Sequence, residues 1–269
     1  MKRILIVLSI AISLIMLTAC NSKGDVLRVG MDLSYPPFET VTTLNEPEGI
    51  SVDIAKAFGV YLGREVEIVN TEFSSLIPAL NSGEIDIVIA SMSITEDREL
   101  SVDFTNPYFY FKIISLVNKD FADANSITED STVEDVLAIE DVTYIGLASQ
   151  VSVSIPQSYG KTVIEATDLG TAVESVAQGT ADILLMSANP VVDGYNANPS
   201  DTIVLWDAFQ SSPIGMAVAE GNTELLAQAN AFIDTFNDAG GLYSVLSDNW
   251  DAVIIADLGR YGLDFFIHE

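Results

Sequence analysis

Short apolar runs alternate along the chain with segments whose apolar residues recur at helical spacing. Residues 51–62 are an example, because Val52, Ile54, Ala55 and Phe58 fall on one side of a helix. This alternation of strands and helices predicts a parallel or mixed α/β sheet. In the first half, the predicted strands are 26–31, 66–69 and 85–90, and the predicted helices are 51–62 and 74–81.

The second half repeats the same order of elements. At a constant offset of 96 positions, residues 71–73 match 167–169 and Gly83 matches Gly179. Each glycine ends a predicted helix, and we interpret the repeat as support for two lobes of like architecture. The predicted strands of this half are 144–147, 163–165 and 183–186, and its predicted helices are 152–159 and 171–178.

Serines follow the predicted strands at the places where a ligand is expected. In open α/β sheets, ligands bind beyond the carboxyl ends of the strands. Ser91 and Ser93 follow the third predicted strand, and Ser187 follows the last one. If the two lobes face each other, these three serines line one shared cleft.

The N-terminus has the pattern of a secretory signal. Lys2 and Arg3 precede an apolar run over residues 4–17, and small residues follow it. An uncleaved transmembrane anchor is the alternative, but a span normally needs about 20 apolar residues. The pattern therefore predicts a signal peptide over residues 1–19.

Leu17-Thr18-Ala19-Cys20 resembles a bacterial lipobox, in which Cys20 would carry the lipid and become the first residue of the mature protein. Cys20 is the only cysteine of the chain, and lipidation accounts for a cysteine that has no disulfide partner. Residues 20–25 are small and polar, which is typical of a tether. We therefore expect an extracytoplasmic protein that is lipid-anchored to the bacterial membrane.

The composition is strongly acidic. Asp and Glu number 39 against 11 Lys and Arg, which gives a net charge of −28. Nucleic acid is excluded as a partner, since binding it requires a basic surface. Scattered acidic residues favour a solvated surface, with a store of cations as the alternative. The single histidine, His268, leaves almost nothing for zinc or triad chemistry, and we expect no metal and no cofactor.

Arg98 is the first candidate ligand-binding residue. It follows the predicted strand that ends at residue 90, and its planar guanidinium can hold a carboxylate through two parallel hydrogen bonds. The alternative is an ion pair within the protein, with Glu96, Asp97 or Asp103. The chemistry alone favours neither.

Two aromatic residues and one acid are further candidates. Tyr35 precedes a rigid Pro36-Pro37 pair and Phe73 precedes a predicted helix, so each is a candidate wall for a ligand's side chain, with core packing as the alternative. Asp32 ends the first strand and is a candidate acceptor for an ammonium or an amide, with helix capping as its alternative.

Residues 148–152 link a predicted strand to the start of a helix. The free backbone N–H groups of such a turn can receive an anion. Because turns of this kind occur in every α/β protein, the signal is weak by itself.

Several motifs in one order resemble the polar amino-acid-binding proteins of ABC transporters, which form solute-binding protein family 3. The matching segments are 27–32, 35–39, 49–54, 73–80, 91–98 and 102–108, together with Gly83 and Asp86. The resemblance covers nearly all of the chain after the signal peptide.

This resemblance implies an α/β fold of the type II periplasmic-binding kind, in which two lobes joined by two hinge-crossing strands close over a ligand. The crossings are expected near residues 108–112 and 210–214. Lobe one is then expected over 26–109 and 213–269, and lobe two over 110–212, which includes the hinge strands.

The resemblance also implies how the ligand's polar groups are bound. Arg98 would bind an α-carboxylate, with help from the backbone amides around Val151 and Ser152 on the opposite lobe. Ser91 and Ser93 would contact the ammonium or the carboxylate.

The resemblance also implies which residues surround the ligand's side chain, and the chain differs from the family at one position. Tyr35 and Phe73 would enclose the ligand's side chain, and Asp32 would bind its polar end. The family usually places an aspartate in lobe two to pair with the α-ammonium, but Ser187 occupies the matching position here. A buried ammonium without an anion is unfavourable, so either Asp32 or another acid substitutes, or the ligand lacks an α-ammonium.

The sequence therefore predicts a solute-binding lipoprotein of an ABC importer that binds a polar amino acid by hinge closure. The expected partners are the small carboxylate or amino acid, the permease subunits and the membrane, the last through lipid on Cys20. We expect a monomer without catalytic residues. The alternatives are a small-acid dehydratase on the same fold and a ligand-binding partner of a sensor. Residues 251–269 run past the usual family ending near Trp250 and have no predicted role.

Overall fold

A computed structural model describes residues 26–259 and 261–268 of the 269-residue chain. The predicted signal peptide over 1–19, the tether over 20–25 and the lipidation of Cys20 lie outside the described residues and stay predictions. Within the described ranges, no helix is both long enough and apolar enough to cross a membrane.

Five strands form the first sheet: β1 (Leu27–Met31), β4 (Val66–Asn70), β5 (Ile87–Val88), β6 (Val102–Phe104) and β12 (Ala217–Ala219). Their order is β4-β1-β5-β12-β6. β1 is parallel to both β4 and β5, whereas β12 returns from far along the chain and is antiparallel to β5 and β6. A separate hairpin joins β2 (Thr40–Val41) and β3 (Pro47–Glu48).

Five strands form the second sheet: β7 (Phe109–Asn118), β8 (Tyr144–Leu147), β9 (Val163–Ala166), β10 (Ile183–Ser187) and β11 (Thr202–Ile214). Their order is β11-β7-β10-β8-β9. β8 is parallel to β9 and β10, and β7 is antiparallel to β10 and β11. In both sheets, three parallel strands with the first of them in the middle are therefore followed by antiparallel strands on one side.

Helices connect and cover these strands. They are α1 (Ile50–Leu62), α2 (Leu76–Ser82), α3 (Glu96–Glu99), α4 (Lys119–Asn125), α5 (Val133–Leu137), α6 (Val151–Ser158), α7 (Leu169–Ala177), α8 (Ala188–Ala197), α9 (Thr223–Ile233), α10 (Leu242–Leu258) and α11 (Asp264–Ile267). In α1, the four apolar residues whose spacing predicted the helix are all buried.

The predicted elements are present, with differences at their ends. Gly83 and Gly179 follow α2 and α7 with φ of 76° and 70°, a conformation that glycine adopts without strain. The predicted helix 74–81 starts instead as a 3₁₀ turn over Phe73–Ser75 and continues as α2.

The predicted strand 85–90 was too long, because only Ile87 and Val88 are in the ladder. At one end, the Asp86 backbone N–H still donates to the Arg28 carbonyl at 2.8 Å, but the Arg28 N–H donates to the Asp86 side chain, also at 2.8 Å, and not to a backbone carbonyl of the neighbouring strand. At the other end, Ser91 turns the chain away with φ of 50°.

Two long strands, β7 and β11, join the two sheets. They pair antiparallel from Phe109 opposite Ile214 to Asn118 opposite Thr202, with a bulge between Leu205 and Gln210. The segments 108–112 and 210–214, which were expected to cross between lobes, therefore lie side by side. The exact lobe limits stay predictions.

The segment after Trp250 belongs to the core. Phe266 of α11 is fully buried, and its ring centroid lies 5.1 Å from that of Phe38 and 5.2 Å from that of Phe111 in β7. α11 therefore packs against the first connecting strand and against the loop that follows β1.

The same segment also contacts the second connecting strand. The Tyr261 ring lies 5.9 Å from that of Trp206 in β11. Lys112 of β7 donates from Nζ to the backbone carbonyl of His268 at 3.2 Å. Residues 261–268, which the sequence left without a role, thus pack across both strands that join the sheets.

Candidate ligand-binding site

A cavity lies between the two sheets, beyond the ends of β5 and β10. The predicted site residues that line it are Asp32, Tyr35, Phe73, Ser91, Ser93, Arg98, Val151 and Ser187. Residues from both halves of the chain thus meet at one place, as expected for lobes that face each other.

Ser152 is the exception among the predicted residues. Its side chain is fully buried, and Oγ accepts a hydrogen bond from the Leu147 backbone N–H at 2.9 Å, so it holds the end of β8 against α6. The role expected for Ser152 was that of its backbone amide, and the position of its hydroxyl leaves that prediction untested. In α6, which starts at Val151, the Val153 N–H already donates to the Gln150 carbonyl at 3.0 Å, so the N–H groups of Val151 and Ser152 are the ones that face outward from the start of the helix.

Arg98 bridges the two sides of the cavity. It lies in α3, a single turn whose N-cap Thr95 accepts from the Arg98 backbone N–H. Its Nη1 donates to the Ser93 carbonyl at 2.7 Å, and its Nη2 donates to the carbonyl of Ser149, which follows β8, at 2.8 Å. Both arms of the guanidinium are therefore oriented by backbone oxygens.

The alternative for Arg98, an ion pair within the protein, is not observed. No carboxylate of a described residue lies within 4.0 Å of its guanidinium, and Asp103 instead accepts from the Gly221 backbone N–H at 2.8 Å. Burial lowers the pKa of Arg98 to about 10 with no nearby anion to oppose it. The cavity thus contains a cation that lacks an acidic partner among the described residues.

Phe73 and Asp32 are held together at the edge of the cavity. The Arg98 guanidinium carbon lies 5.1 Å from the centroid of the Phe73 ring, within cation–π range. Asp32 Oδ2 accepts from the Phe73 backbone N–H at 2.9 Å at the start of the 3₁₀ turn, while Oδ1 accepts from the Ser34 hydroxyl at 2.6 Å. Asp32 therefore caps the start of the 3₁₀ turn, which the sequence allowed as the alternative to ligand binding. It also lines the cavity.

Tyr35 closes the cavity on the other side. Its ring is stacked on Phe111 with centroids 6.4 Å apart, and its hydroxyl is hydrogen-bonded to the Ser187 hydroxyl at the end of β10. Burial raises the pKa of Tyr35, so the phenol is neutral at physiological pH. The Tyr35–Ser187 and Arg98–Ser149 contacts together tie one half of the chain to the other across the cavity.

Glu39 also lines the cavity, although the sequence interpretation did not select it. Its side chain is 1% exposed, and Oε2 accepts from the Ser91 hydroxyl at 3.0 Å. Burial raises the pKa of Glu39 to about 8 against the opposing effect of the Ser91 and Ser51 hydroxyls. The only signal in the sequence was its place in the 35–39 motif, directly after the loop that begins at Tyr35.

The cleft widens beyond Phe73 into an outer opening that is bounded by acids from both halves. Asp32 and Glu72 lie on one side and Asp168 on the other. Glu72 and Asp168 are exposed, and Asp168 also caps α7 by accepting from the Thr171 backbone N–H at 2.8 Å. Among the described residues, no group of three or more His, Cys, Asp or Glu is arranged to hold a metal ion.

Residues 27–251 match the family model of the bacterial extracellular solute-binding proteins, family 3. The chain belongs to this family. Members of family 3 act outside the cytoplasm, and the extracytoplasmic location predicted from the sequence agrees with this membership.

Individual relatives match over most of their length. An L-arginine-binding protein of Pseudomonas aeruginosa is 29% identical over 93% of this chain and 96% of its own. An L-cystine-binding protein of Escherichia coli strain K12 is 26% identical over 87% of this chain and 85% of its own.

Solved structures show the same architecture. An ancestral arginine-binding protein bound to arginine has 28% identity and a TM-score of 0.69 over 84% of this chain and 98% of its own. An ancestral amino acid-binding protein that is a precursor of cyclohexadienyl dehydratase also has 28% identity and a TM-score of 0.69, over 83% of this chain and 94% of its own. The predicted two-lobed α/β fold is confirmed.

Proposed function

We propose that this family 3 protein binds an amino acid with a cationic side chain in the cavity and delivers it to an ABC importer. The observation that carries the proposal is the Arg98 guanidinium, which is oriented by two backbone carbonyls and has no carboxylate partner among the described residues. An α-carboxylate supplies the missing anion and fits the planar fork of the guanidinium. The N–H groups at the start of α6 supply further donors from the opposite side.

The outer opening supports a cationic side chain. A ligand whose carboxylate meets Arg98 passes Phe73 and reaches the acids Asp32, Glu72 and Asp168. A guanidinium or ammonium group is attracted to these carboxylates and to the face of the Phe73 ring. The net charge of −28 favours the approach of a cation and disfavours that of an acidic amino acid. Two of the similar proteins named above are arginine-binding proteins.

Closure of the two lobes around the ligand is the proposed mechanism. The contacts Tyr35–Ser187 and Arg98–Ser149 form only when the two sides of the cavity approach each other. A ligand that contacts both sides binds this closed form better and shifts the equilibrium towards it. The permease subunits then recognise the closed form, and lipid on Cys20 keeps the monomeric protein beside them.

A small-acid dehydratase is the second candidate. It is favoured by one observation, a buried carboxyl at Glu39 whose raised pKa suits a general acid, beside a cation that binds carboxylates. Incubation with prephenate or arogenate and assay for the dehydrated product distinguishes an enzyme from a binding protein.

The experiment for the proposed function is a ligand panel on the protein without residues 1–20. We expect arginine and lysine to raise the melting temperature and to give saturable heats in calorimetry, because they bind only the folded form. Glutamine is expected to bind more weakly and glutamate not at all. A selective response to glutamate or to leucine, with none to arginine or lysine, contradicts the proposal.

A further inference from the structure

We propose that Glu39 is the anion that pairs with the α-ammonium group of the ligand, a role that the neutral Ser187 on the opposite wall does not provide. This inference rests on the proposed function and deepens it, since it assigns recognition of the ammonium to a residue of the loop after β1. It also selects between the alternatives that the sequence left open for this group.

Glu39 is positioned for this role by a tight loop. Tyr35 and Glu39 form an antiparallel bridge in which the Tyr35 N–H donates to the Glu39 carbonyl at 2.8 Å and the Glu39 N–H donates back at 2.9 Å. The two side chains therefore leave the loop together, and both line the cavity. Ser91 fixes the carboxyl further by donating to Oε2 at 3.0 Å.

The cavity holds two complementary groups that have no charged partner among the described residues. Arg98 is a cation without an anion, and Glu39 is an acid without a cation. Both are attached to one short segment, since Arg98 donates to the Ser93 carbonyl and Ser91 donates to Glu39. Residues two apart in an extended chain are separated by roughly 7 Å. An α-amino acid carries its carboxylate and its ammonium on one carbon and satisfies both groups from a single position.

The other acids near the cavity are less suited. Asp32 already accepts two hydrogen bonds, from the Phe73 N–H and the Ser34 hydroxyl, and it faces the outer opening. Glu72 and Asp168 bound only that outer opening. Asp32 and Glu39 both line the inner cavity with Arg98, but Glu39, unlike Asp32, does not also line the outer opening.

The titratable groups that face Glu39 predict a coupling between ligand and protons. Asp32, Tyr35 and Tyr108 lie near its carboxyl, and the charge of Asp32 adds to the effect of burial, which raises the pKa of Glu39 to about 8. Arg98 lines the same cavity from α3. Without ligand, Glu39 is therefore protonated at neutral pH. A bound ammonium stabilises the carboxylate and lowers this pKa, so binding at pH 7 releases a proton.

Calorimetry in two buffers tests this coupling. Arginine is titrated into the protein at pH 7 in phosphate and in Tris, whose ionisation enthalpies differ. We expect release of close to one proton per ligand and an affinity that rises up to about tenfold per pH unit between pH 6 and 8. In Glu39→Gln we expect no proton release, no pH dependence in this range and an affinity at pH 8 that is at least about tenfold weaker. Exposed Glu48, in β3, provides the matched control, and Glu48→Gln should behave as the unaltered protein.

An arginine analogue that lacks the α-amino group separates this inference from the proposed function. The analogue should bind the unaltered protein and Glu39→Gln with equal affinity and release no proton. If arginine binds tightly but Glu39→Gln leaves affinity and proton release unchanged, the role of Glu39 is refuted while the proposed function stands. If no cationic amino acid binds the unaltered protein, the proposed function itself fails.

The stability of the unliganded protein provides a second measurement. Below the ordinary pKa of a carboxyl, Glu39 is protonated in both the folded and the unfolded state, and the free energy of unfolding has its full value. As the pH rises towards 8, the unfolded state loses this proton while the folded state keeps it, so the free energy of unfolding falls. Glutamine resembles the protonated carboxyl, so Glu39→Gln should fold and should lack this decline in the free energy of unfolding. An identical decline in both proteins overturns the assignment of a buried, protonated Glu39.

Discussion

The two walls of the cavity have the same order of strands but different chemistry. The first wall consists of the lining residues that precede β7, and the second wall of those in β7, in β10 and at the start of α6. Each sheet has three parallel strands followed by antiparallel ones, and each presents a serine with positive φ beside the cavity, Ser91 at 50° and Ser149 at 65°. The charged residues that line the inner cavity, Asp32, Glu39 and Arg98, all belong to the first wall. The second wall offers a hydroxyl, the amide side chain of Gln150, apolar side chains and backbone groups.

This difference indicates a division of labour in binding. The first wall carries the charges that recognise the two ends of a zwitterion, and non-glycine residues in the left-handed region, such as Ser91, are concentrated at functional sites. The second wall contributes neutral donors and acceptors that complete the site on closure. A ligand is therefore expected to bind the first wall before the second wall covers it.

Among changes to the first wall, Arg98→Ala should cause the largest loss of affinity for the ligand. Removal of one partner from a buried charge pair costs about 2–5 kcal/mol, which corresponds to at least about 30-fold weaker binding of arginine by calorimetry. Arg28 in β1 is the matched control, because it pairs with Asp86 at 2.6 Å away from the cavity. Arg28→Ala should lower the melting temperature and leave the affinity unchanged. Unchanged affinity in Arg98→Ala removes Arg98 from the site.

Moving the carboxylate from position 39 in the first wall to position 187 in the second wall should cause the next largest change in affinity. The double variant Glu39→Gln with Ser187→Asp places a carboxylate on the second wall of the same cavity. We expect it to recover about tenfold of the affinity for arginine that Glu39→Gln loses, because a buried ammonium regains an anion. The deaminated analogue, which carries no ammonium, should gain nothing. Equal gains for both ligands would show that the added acid acts elsewhere.

Loss of the hydrogen bond between the Tyr35 and Ser187 hydroxyls should cause the smallest change in affinity. Tyr35→Phe and Ser187→Ala each remove one hydrogen bond, which is worth about 1 kcal/mol and therefore about fivefold in affinity. Because both remove the same bond, the double variant should be no weaker than either single variant. Additive losses would mean that the two hydroxyls act on the ligand separately.

Much of the fold was predictable from local patterns. The helical spacing in α1 and the glycines after α2 and α7 are local signals, and the structure follows them. The start of β5 was not predictable, because there the Arg28 N–H donates to the Asp86 side chain across the sheet and not to a backbone carbonyl. This hydrogen bond cannot be predicted from residues 85–90 alone, because its donor lies 58 positions away in the sequence.

The site was predictable where a residue's position in the fold decides its role. Serines and an arginine after β5 reach the cavity because ligands bind at the carboxyl ends of strands. Glu39 escaped selection because acids are almost always exposed, and its burial arises only when the loop after β1 packs against Ser91. The side chain of Ser152 does not line the cavity, since its hydroxyl accepts from the Leu147 N–H, and the predicted role of its backbone amide stays a prediction.

The packing of Phe266 against Phe38 and Phe111 has a consequence for biosynthesis. Phe38 and Phe266 lie near opposite ends of the described chain, so this contact forms only after nearly all of the intervening polypeptide has left the ribosome or a membrane channel. Until then, the rings of Phe38 and Phe111 lack one of their packing partners, since contacts between residues distant in sequence form late. The aromatic cluster around Phe38 is therefore complete only once the C-terminal segment that carries Phe266 has been made.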